Sequence, residues 1–374
     1  MNQEIERKTG ISNRGNCYRI KQVMKRAQAG EELTIAFIGG SITQGSLASK
    51  SEHCYAAHVY EWWKQAFPNA TFHYINAGIG GTTSQFGTVR VQTDVLVHQP
   101  DLVFVEFSVN DDSTELYLET YEGLVRKIWS AESEPAIMLV HNVRYDNGAN
   151  AQVQHGKIAR YYDLPAVSMQ RAIYPYVLDG TVERREITPD DLHPNDKGHA
   201  WIAAVITDCL EQIRVDADEC QMPKRELPSP LTANRYEHAK RYQNDYENVQ
   251  MEGFCRDERE QTDLTDCFKN GWYASKAGAR IAFDISGKVL AVQYRKSVQH
   301  PAPIARLVVD GDEEHAMVLD GNFQETWGDC LYIETLQQAE SVPFKETHHI
   351  EITLTEQEAE ALVPFYLTAV LVGA

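Results

Sequence analysis

Thr34-Ile35-Ala36-Phe37-Ile38-Gly39-Gly40-Ser41-Ile42-Thr43-Gln44-Gly45 opens as an uncharged, mostly apolar run and closes in glycines around a serine. The run reads as a strand buried on both faces. The glycines read as a turn, so Ser41 is delivered to the carboxyl edge of a sheet, where open α/β sheets place their sites. Two other readings compete. Gly40 to Gly45 has phosphate-loop spacing, but Ser46 and Leu47 stand where a lysine and a hydroxyl residue belong. The segment is also not a GxGxxG dinucleotide turn. Without partners elsewhere in the chain, a plain glycine turn would be the better reading.

On either side the pattern repeats. Phe72–Asn76, Leu102–Phe107 and Ala136–Val140 are further strand-like runs, and Leu164–Val167 is read as a short fifth. Glu52–Gln65 has Tyr55, Val59 and Trp63 on one helical face, and Tyr117, Tyr121, Leu124 and Ile128 mark a second helix. Pro194 is expected to open a last helix carrying Ile202, Val205, Ile206 and Cys209. Strand–helix alternation of this kind implies α/β architecture, a parallel sheet with helices on both faces. Near Val215 the texture changes. Three prolines and no periodicity mark a linker, after which Ile281, Phe283 and Ile285, and again Ile350, Ile352 and Leu354, alternate at period two. Phe365–Leu371 is another strand, and Asp310-Gly311-Asp312 and Asp320-Gly321-Asn322 are turns. The second half is expected to be a β-sandwich.

The chain has 374 residues, enough for two cores, and a formal net charge of −19. That charge argues against nucleic acid and against an anionic membrane surface as partners, since both need a basic face. The N-terminal stretch shows no signal-peptide pattern, and no run approaches the length of a membrane helix. The seven cysteines are scattered without a CxxC pair, which suggests a reducing, cytoplasmic setting.

Three more segments bear on chemistry. Asn76-Ala77-Gly78-Ile79-Gly80-Gly81-Thr82-Thr83-Ser84 closes the second strand, with glycines that bring backbone N–H groups close to a ligand. Glu106-Phe107-Ser108-Val109-Asn110-Asp111 closes the third, where Asn110 aims a neutral amide at the same edge, if it is not simply an Asx turn. Together with Ser41 these supply an attacking oxygen and neutral donors, the inventory of acyl transfer. Asp190-Asp191-Leu192-His193-Pro194 supplies the base. Imidazole takes a proton near neutral pH, and a carboxylate on its other nitrogen fixes the tautomer. Asp190 is three residues before His193 and is preferred for that task, with Asp191 the competitor and helix capping the bland alternative for either.

The four segments, in order and spacing, resemble the four blocks of the SGNH or GDSL hydrolase superfamily over about residues 15–215. The resemblance implies a flavodoxin-like three-layer sheet and a triad of Ser41, Asp190 and His193. It also implies an oxyanion hole from Ser41, Gly81 and Asn110. The nucleophile block reads GGSIT rather than GDSL, and Ser108 replaces the glycine usual in the third block. With a β-sandwich behind it, the chain is most similar to the two-domain carbohydrate acetylesterases of carbohydrate esterase family seventeen. That likeness implies removal of acetyl groups from β-manno-oligosaccharides, with a preference for the axial 2-hydroxyl, and a second domain like a carbohydrate-binding module of the thirty-five type.

The expected layout is a catalytic domain over 1–216, a linker over 217–232 and a carbohydrate-binding-module-like sandwich over 233–374. Trp327 and Trp272 are the candidate sugar-binding residues, with sandwich core as the competing reading for each. No cofactor and no metal site is expected: there is no HExxH, and His348 and His349 would face opposite sides of a strand. The expected partner is an acetylated oligosaccharide, with no nucleic acid and no membrane. The competing functions are a general short-chain carboxylesterase and a catalytically silent carbohydrate-binding protein.

Overall fold

In the computed structural model, residues 10–218, 220–224, 226–286, 288–336, 347–356 and 360–373 are described. They fall into two units, Met1–Glu237 and His238–Ala374.

The first unit runs β1 (Ile11–Asn13), α1 (Tyr18–Gln28), β2 (Glu32–Gly39), α2 (Ser41–Gln44), α3 (Tyr55–Ala66), β3 (Thr71–Gly78), α4 (Ser84–Asp94) and β4 (Leu102–Glu106). It continues through α5 (Glu115–Trp129), β5 (Ala136–His141), α6 (Gln152–Tyr161), β6 (Ala166–Ser168), α7 (Met169–Ala172), α8 (Tyr174–Leu178) and α9 (Asp196–Val215). The strands form one sheet in the order β1-β6-β5-β4-β2-β3. Every neighbouring pair is parallel except β1 with β6. β2 therefore sits between β3 and β4, with the chain leaving it in opposite directions, which makes its carboxyl end a topological switch point.

Burial follows the sequence pattern. Tyr55, Val59 and Trp63, one turn apart on α3, are fully buried, and Phe37 of β2 stacks on Phe104 of β4 at 4.6 Å. Each such side chain contributes about 1.5–3 kcal/mol of burial free energy. α9 opens at Asp196 rather than at Pro194, because the Asn195 side chain caps it by accepting the Gly198 N–H at 3.1 Å. The edge strand β1 has no counterpart in the sequence reading, since three residues carry too little period to be seen.

The stretch read as a linker is not loose where it is described; residues 219 and 225 lie outside the described residues, as do 1–9. Glu122 of α5 accepts the backbone N–H groups of Leu231 and Thr232 at 2.6 and 2.8 Å. Arg126 donates to Pro228 O at 2.8 Å and Tyr161 to Ser229 O at 2.8 Å. Bonds from α5 and α6 thus carry the segment with the first unit as far as Glu237.

The second unit contains β7 (Lys240–Tyr242), β8 (Val249–Glu252), β9 (Cys255–Arg256), β10 (Trp272–Ala274), β11 (Arg280–Ser286) and β12 (Lys288–Lys296). Then follow β13 (Ile304–Val309), β14 (Met317–Asp320), β15 (Cys330–Thr335), β16 (Thr347–Leu354) and β17 (Phe365–Gly373). Two antiparallel sheets form, β15-β12-β17-β10-β9 with β7 on β17, and β14-β13-β16-β11-β8. Their inner faces share one core that includes Trp272, Phe283, Ile352 and Phe365. Of the two readings given for Trp272, the core one fits: it has no exposed surface and meets Phe283 edge-on at 5.1 Å, which leaves no ring face open for a sugar. The strand's alternation decides this: Trp272 and Ala274 point inward, and Tyr273 points out.

Candidate active site

Ser41 is the first residue of α2, immediately past the end of β2, and is almost wholly buried. The turn that carries it needs small residues. A β-carbon on Gly40 would come within 2.2 Å of Asn110 Oδ1, and one on Gly78 within 2.1 Å of Gln44 N. The glycines thus let the loops after β2, β3 and β4 close on one another.

His193 Nε2 is 2.8 Å from Ser41 Oγ, and His193 Nδ1 is 2.6 Å from Asp190 Oδ2. The other carboxylate oxygen of Asp190 accepts the backbone N–H groups of His193 and Leu192 at 2.7 and 3.1 Å. Partial burial pulls the Asp190 carboxyl upward. The His193 side-chain bond and these backbone N–H groups outweigh that pull and hold it below the usual carboxylate range. Asp191 faces elsewhere. It adopts φ +72° and pairs with Arg184 Nε at 2.8 Å and Arg185. Of the two neighbouring carboxylates, the histidine contacts Asp190.

The glycine loop after β3 lies against Ser41. Gly80 packs over the serine, since a β-carbon there would stand 3.6 Å from Ser41 Cβ. Its own N–H is engaged by Gln44 Oε1 at 2.6 Å. Gly81, in the left-handed region at φ +67°, has no acceptor for its N–H among the described residues, and neither do Ser41 N–H and Asn110 Nδ2. Gly40, beside Ser41, packs against Asn110, and Gly80, beside Gly81, packs against Ser41. Ser108 bonds inward: its N–H and Oγ both reach Glu106 Oε1, at 3.1 and 2.9 Å. Burial pushes Glu106 up to about 7, against the opposing pull of those Ser108 bonds.

Beside His193, α9 anchors the loop that follows Ser41. Asp196 accepts Ser49 N–H and Oγ at 2.7 and 2.6 Å and contacts His53 Nδ1 at 2.8 Å. The sequence reading did not find Gln44 or Asp196. Each acts through a bond to a residue remote in the chain, which leaves no local pattern. No group of metal-ligating residues occurs among the described residues, and no described helix is long and apolar enough to cross a membrane. In the second unit Trp327 is 58% exposed and meets Phe323 edge-on at 5.0 Å.

Residues 37–201 match the GDSL-like lipase/acylhydrolase family. The chain is 25% identical over 199 residues to an arylesterase of Vibrio mimicus, covering 48% of this chain and 88% of that protein. It is 27% identical over 188 residues to thioesterase 1/protease 1/lysophospholipase L1 of Escherichia coli K12, covering 48% of this chain and 82% of that protein. Two crystal structures match along its whole length. One is a two-domain esterase active on acetylated mannans, co-crystallised with mannopentaose, at 56% identity and TM-score 0.94, covering 100% of this chain and 99% of that one. The other, a two-domain esterase active on acetylated mannans, matches at 58% identity and TM-score 0.95, covering 99% of each chain.

Proposed function

The chain belongs to the GDSL-like lipase/acylhydrolase family, and from that membership we propose that it is a serine esterase removing O-acetyl groups from acetylated β-manno-oligosaccharides. The observation that carries the chemistry is the unbroken line from Asp190 through His193 to Ser41, with contacts of 2.6 and 2.8 Å.

The steps follow from that line. His193 Nε2 takes the hydroxyl proton as Ser41 Oγ attacks the acetyl carbonyl carbon. Asp190 keeps the Nδ1 proton in place and stabilises the imidazolium. The carbonyl oxygen becomes an oxyanion, which Ser41 N–H, Gly81 N–H and Asn110 Nδ2 receive. The C–O bond to the sugar breaks, and the sugar oxygen leaves with the proton from His193. An acetyl-serine remains. Water, deprotonated by the same imidazole, attacks the acetyl carbon; the bond to Ser41 Oγ breaks, Oγ takes the proton back from His193, and acetate leaves. No cofactor enters this sequence.

Substrate class is carried by the full-length likeness to esterases active on acetylated mannans. We assign sugar contact in the second unit to Trp327, whose exposed ring suits stacking on a pyranose face. Seven free cysteines, widely spread, suit a reducing cytoplasm. The experiment is a comparison of acetyl and octanoyl chromogenic esters with acetylated manno-oligosaccharides. Hydrolysis of the acetyl ester and release of acetate from the oligosaccharide are expected. Faster turnover of octanoyl ester would favour a general carboxylesterase, and no turnover of any ester would leave only a binding protein.

A further inference from the structure

Asp111 follows Asn110 directly, but its side chain has no exposed surface. Oδ1 accepts the Ser84 N–H at 2.9 Å, and Oδ2 meets His155 Nε2 at 3.0 Å. Ser84 opens α4, whose own N-cap residue, Thr83, makes no side-chain cap bond. The first turn of that helix is therefore capped from a different loop. Gly81 lies three residues upstream of Ser84, on the same loop. His155, on α6, stacks on Tyr121 of α5 with ring centroids 3.6 Å apart. Its Nδ1 has no partner, so the contact with Asp111 is the ring's polar tie among the described residues.

One carboxylate thus joins three elements: the turn bearing Asn110, the helix start behind Gly81, and a ring fixed by stacking. We propose that Asp111 is a positioning residue that locks Gly81 and Asn110 into one rigid pair of oxyanion donors. The inference rests on the esterase reading above. Such donors are effective because they need no reorganisation when charge develops, and displacements of about 1 Å cost roughly 10²-fold in rate. Ground-state binding of the ester makes little use of them, so the effect falls on kcat.

The test uses the full chain and an acetyl chromogenic ester, with Ser41→Ala as the inactive reference. The wild-type chain must first turn over the ester; its failure to do so would count against the esterase reading itself. Asp111→Ala is expected to lower kcat at least about tenfold with KM within about twofold and an unchanged circular dichroism spectrum. Asp111→Asn keeps an oxygen for Ser84 N–H and an amide for the His155 ring, so it is expected to restore kcat to within about threefold. A folded Asp111→Ala chain with wild-type kcat, or a loss confined to KM, overturns the inference. So does an Asp111→Asn chain as impaired as Asp111→Ala. Should Asp111→Ala not fold, His155→Phe decides, because it keeps the stack on Tyr121 and removes only the tie. A fall in kcat of more than about twofold at constant KM supports the inference, and a smaller change overturns it.

Discussion

His193 Nε2 lies 2.8 Å from Ser41 Oγ although 152 residues separate them in the chain. The contact joins the loop after the first long strand to the turn before the last helix. If it is the proton path, Ser41→Ala and His193→Ala lose the same function. Each should leave less than about 10⁻³ of wild-type acetyl-ester turnover while keeping the wild-type melting temperature. Ser41 retaining near-normal turnover as alanine would place the nucleophile elsewhere.

The adjacent aspartates separate by the same logic. Asp190 holds the ring, whereas Asp191 pairs with Arg184 and Arg185. Asp190→Asn should reduce kcat by on the order of 10⁴-fold and keep a residual rate, because nucleophile and base remain but the tautomer is no longer fixed. Asp191→Asn should stay within about threefold, since asparagine also accepts the left-handed backbone that Asp191 adopts. Steady-state kinetics on the two variants checks this, and the reverse ranking would show that the orienting carboxylate is Asp191.

Asn110 packs over Gly40, one residue from the serine, and its Nδ2 has no acceptor among the described residues. Asn110→Ala should cost about 10²–10³-fold in kcat, about 3–4 kcal/mol, with little change in KM. A loss expressed in KM alone would make Asn110 a substrate-binding group instead.

The parts of this site that could be read from sequence are those written into strand ends. Ser41, Asn110 and the glycine loop each follow an apolar run directly, so the period of the run places them on one edge. Asp190 and His193 are three residues apart and could be read as a pair. Asp111, His155, Gln44 and Asp196 could not, because each matters through a partner 27 or more residues away. The helix-rich half of the fold was legible for the same reason: long runs carry a clear period. β1 was not, at three residues. Trp272 shows the limit in the second half. A tryptophan in a short strand faces core or solvent according to register, and only pairing of Trp272 with Leu367 and Arg256 fixes it.

His199 gives a pH signature. It is buried, with Nε2 3.3 Å from Ser46 O and Nδ1 accepting Tyr55 N–H at 3.3 Å. Burial lowers its pKa to about 4 from the ordinary histidine value of about 6.5. The folded state therefore binds fewer protons than the unfolded state between those values, so stability falls as pH drops from about 6.5 to about 4. His199→Gln removes that contribution. Chemical denaturation across this range should show the variant with a slope shallower than wild type by up to about 1.4 kcal/mol per pH unit. Parallel slopes would mean that His199 does not resist protonation in the fold.

Trp327 and Trp272 should part company under mutation. Trp272 fills the sandwich core, and Trp272→Ala should cost about 3–5 kcal/mol, seen as a large fall in melting temperature. Trp327 is 58% exposed, so Trp327→Ala should leave the melting temperature near wild type. An exposed indole that contributes little to the fold is free to serve a ligand, and a pyranose offers the flat C–H face that an aromatic ring covers. A chromogenic acetyl ester has no sugar to stack, so it should be hydrolysed by Trp327→Ala at the normal rate. An acetylated manno-oligosaccharide should be deacetylated with a kcat/KM lower by about tenfold, the equivalent of roughly 1.4 kcal/mol of lost binding. Equal losses on both substrates with a lowered melting temperature would make Trp327 a structural residue. Equal rates on both would move sugar recognition away from it.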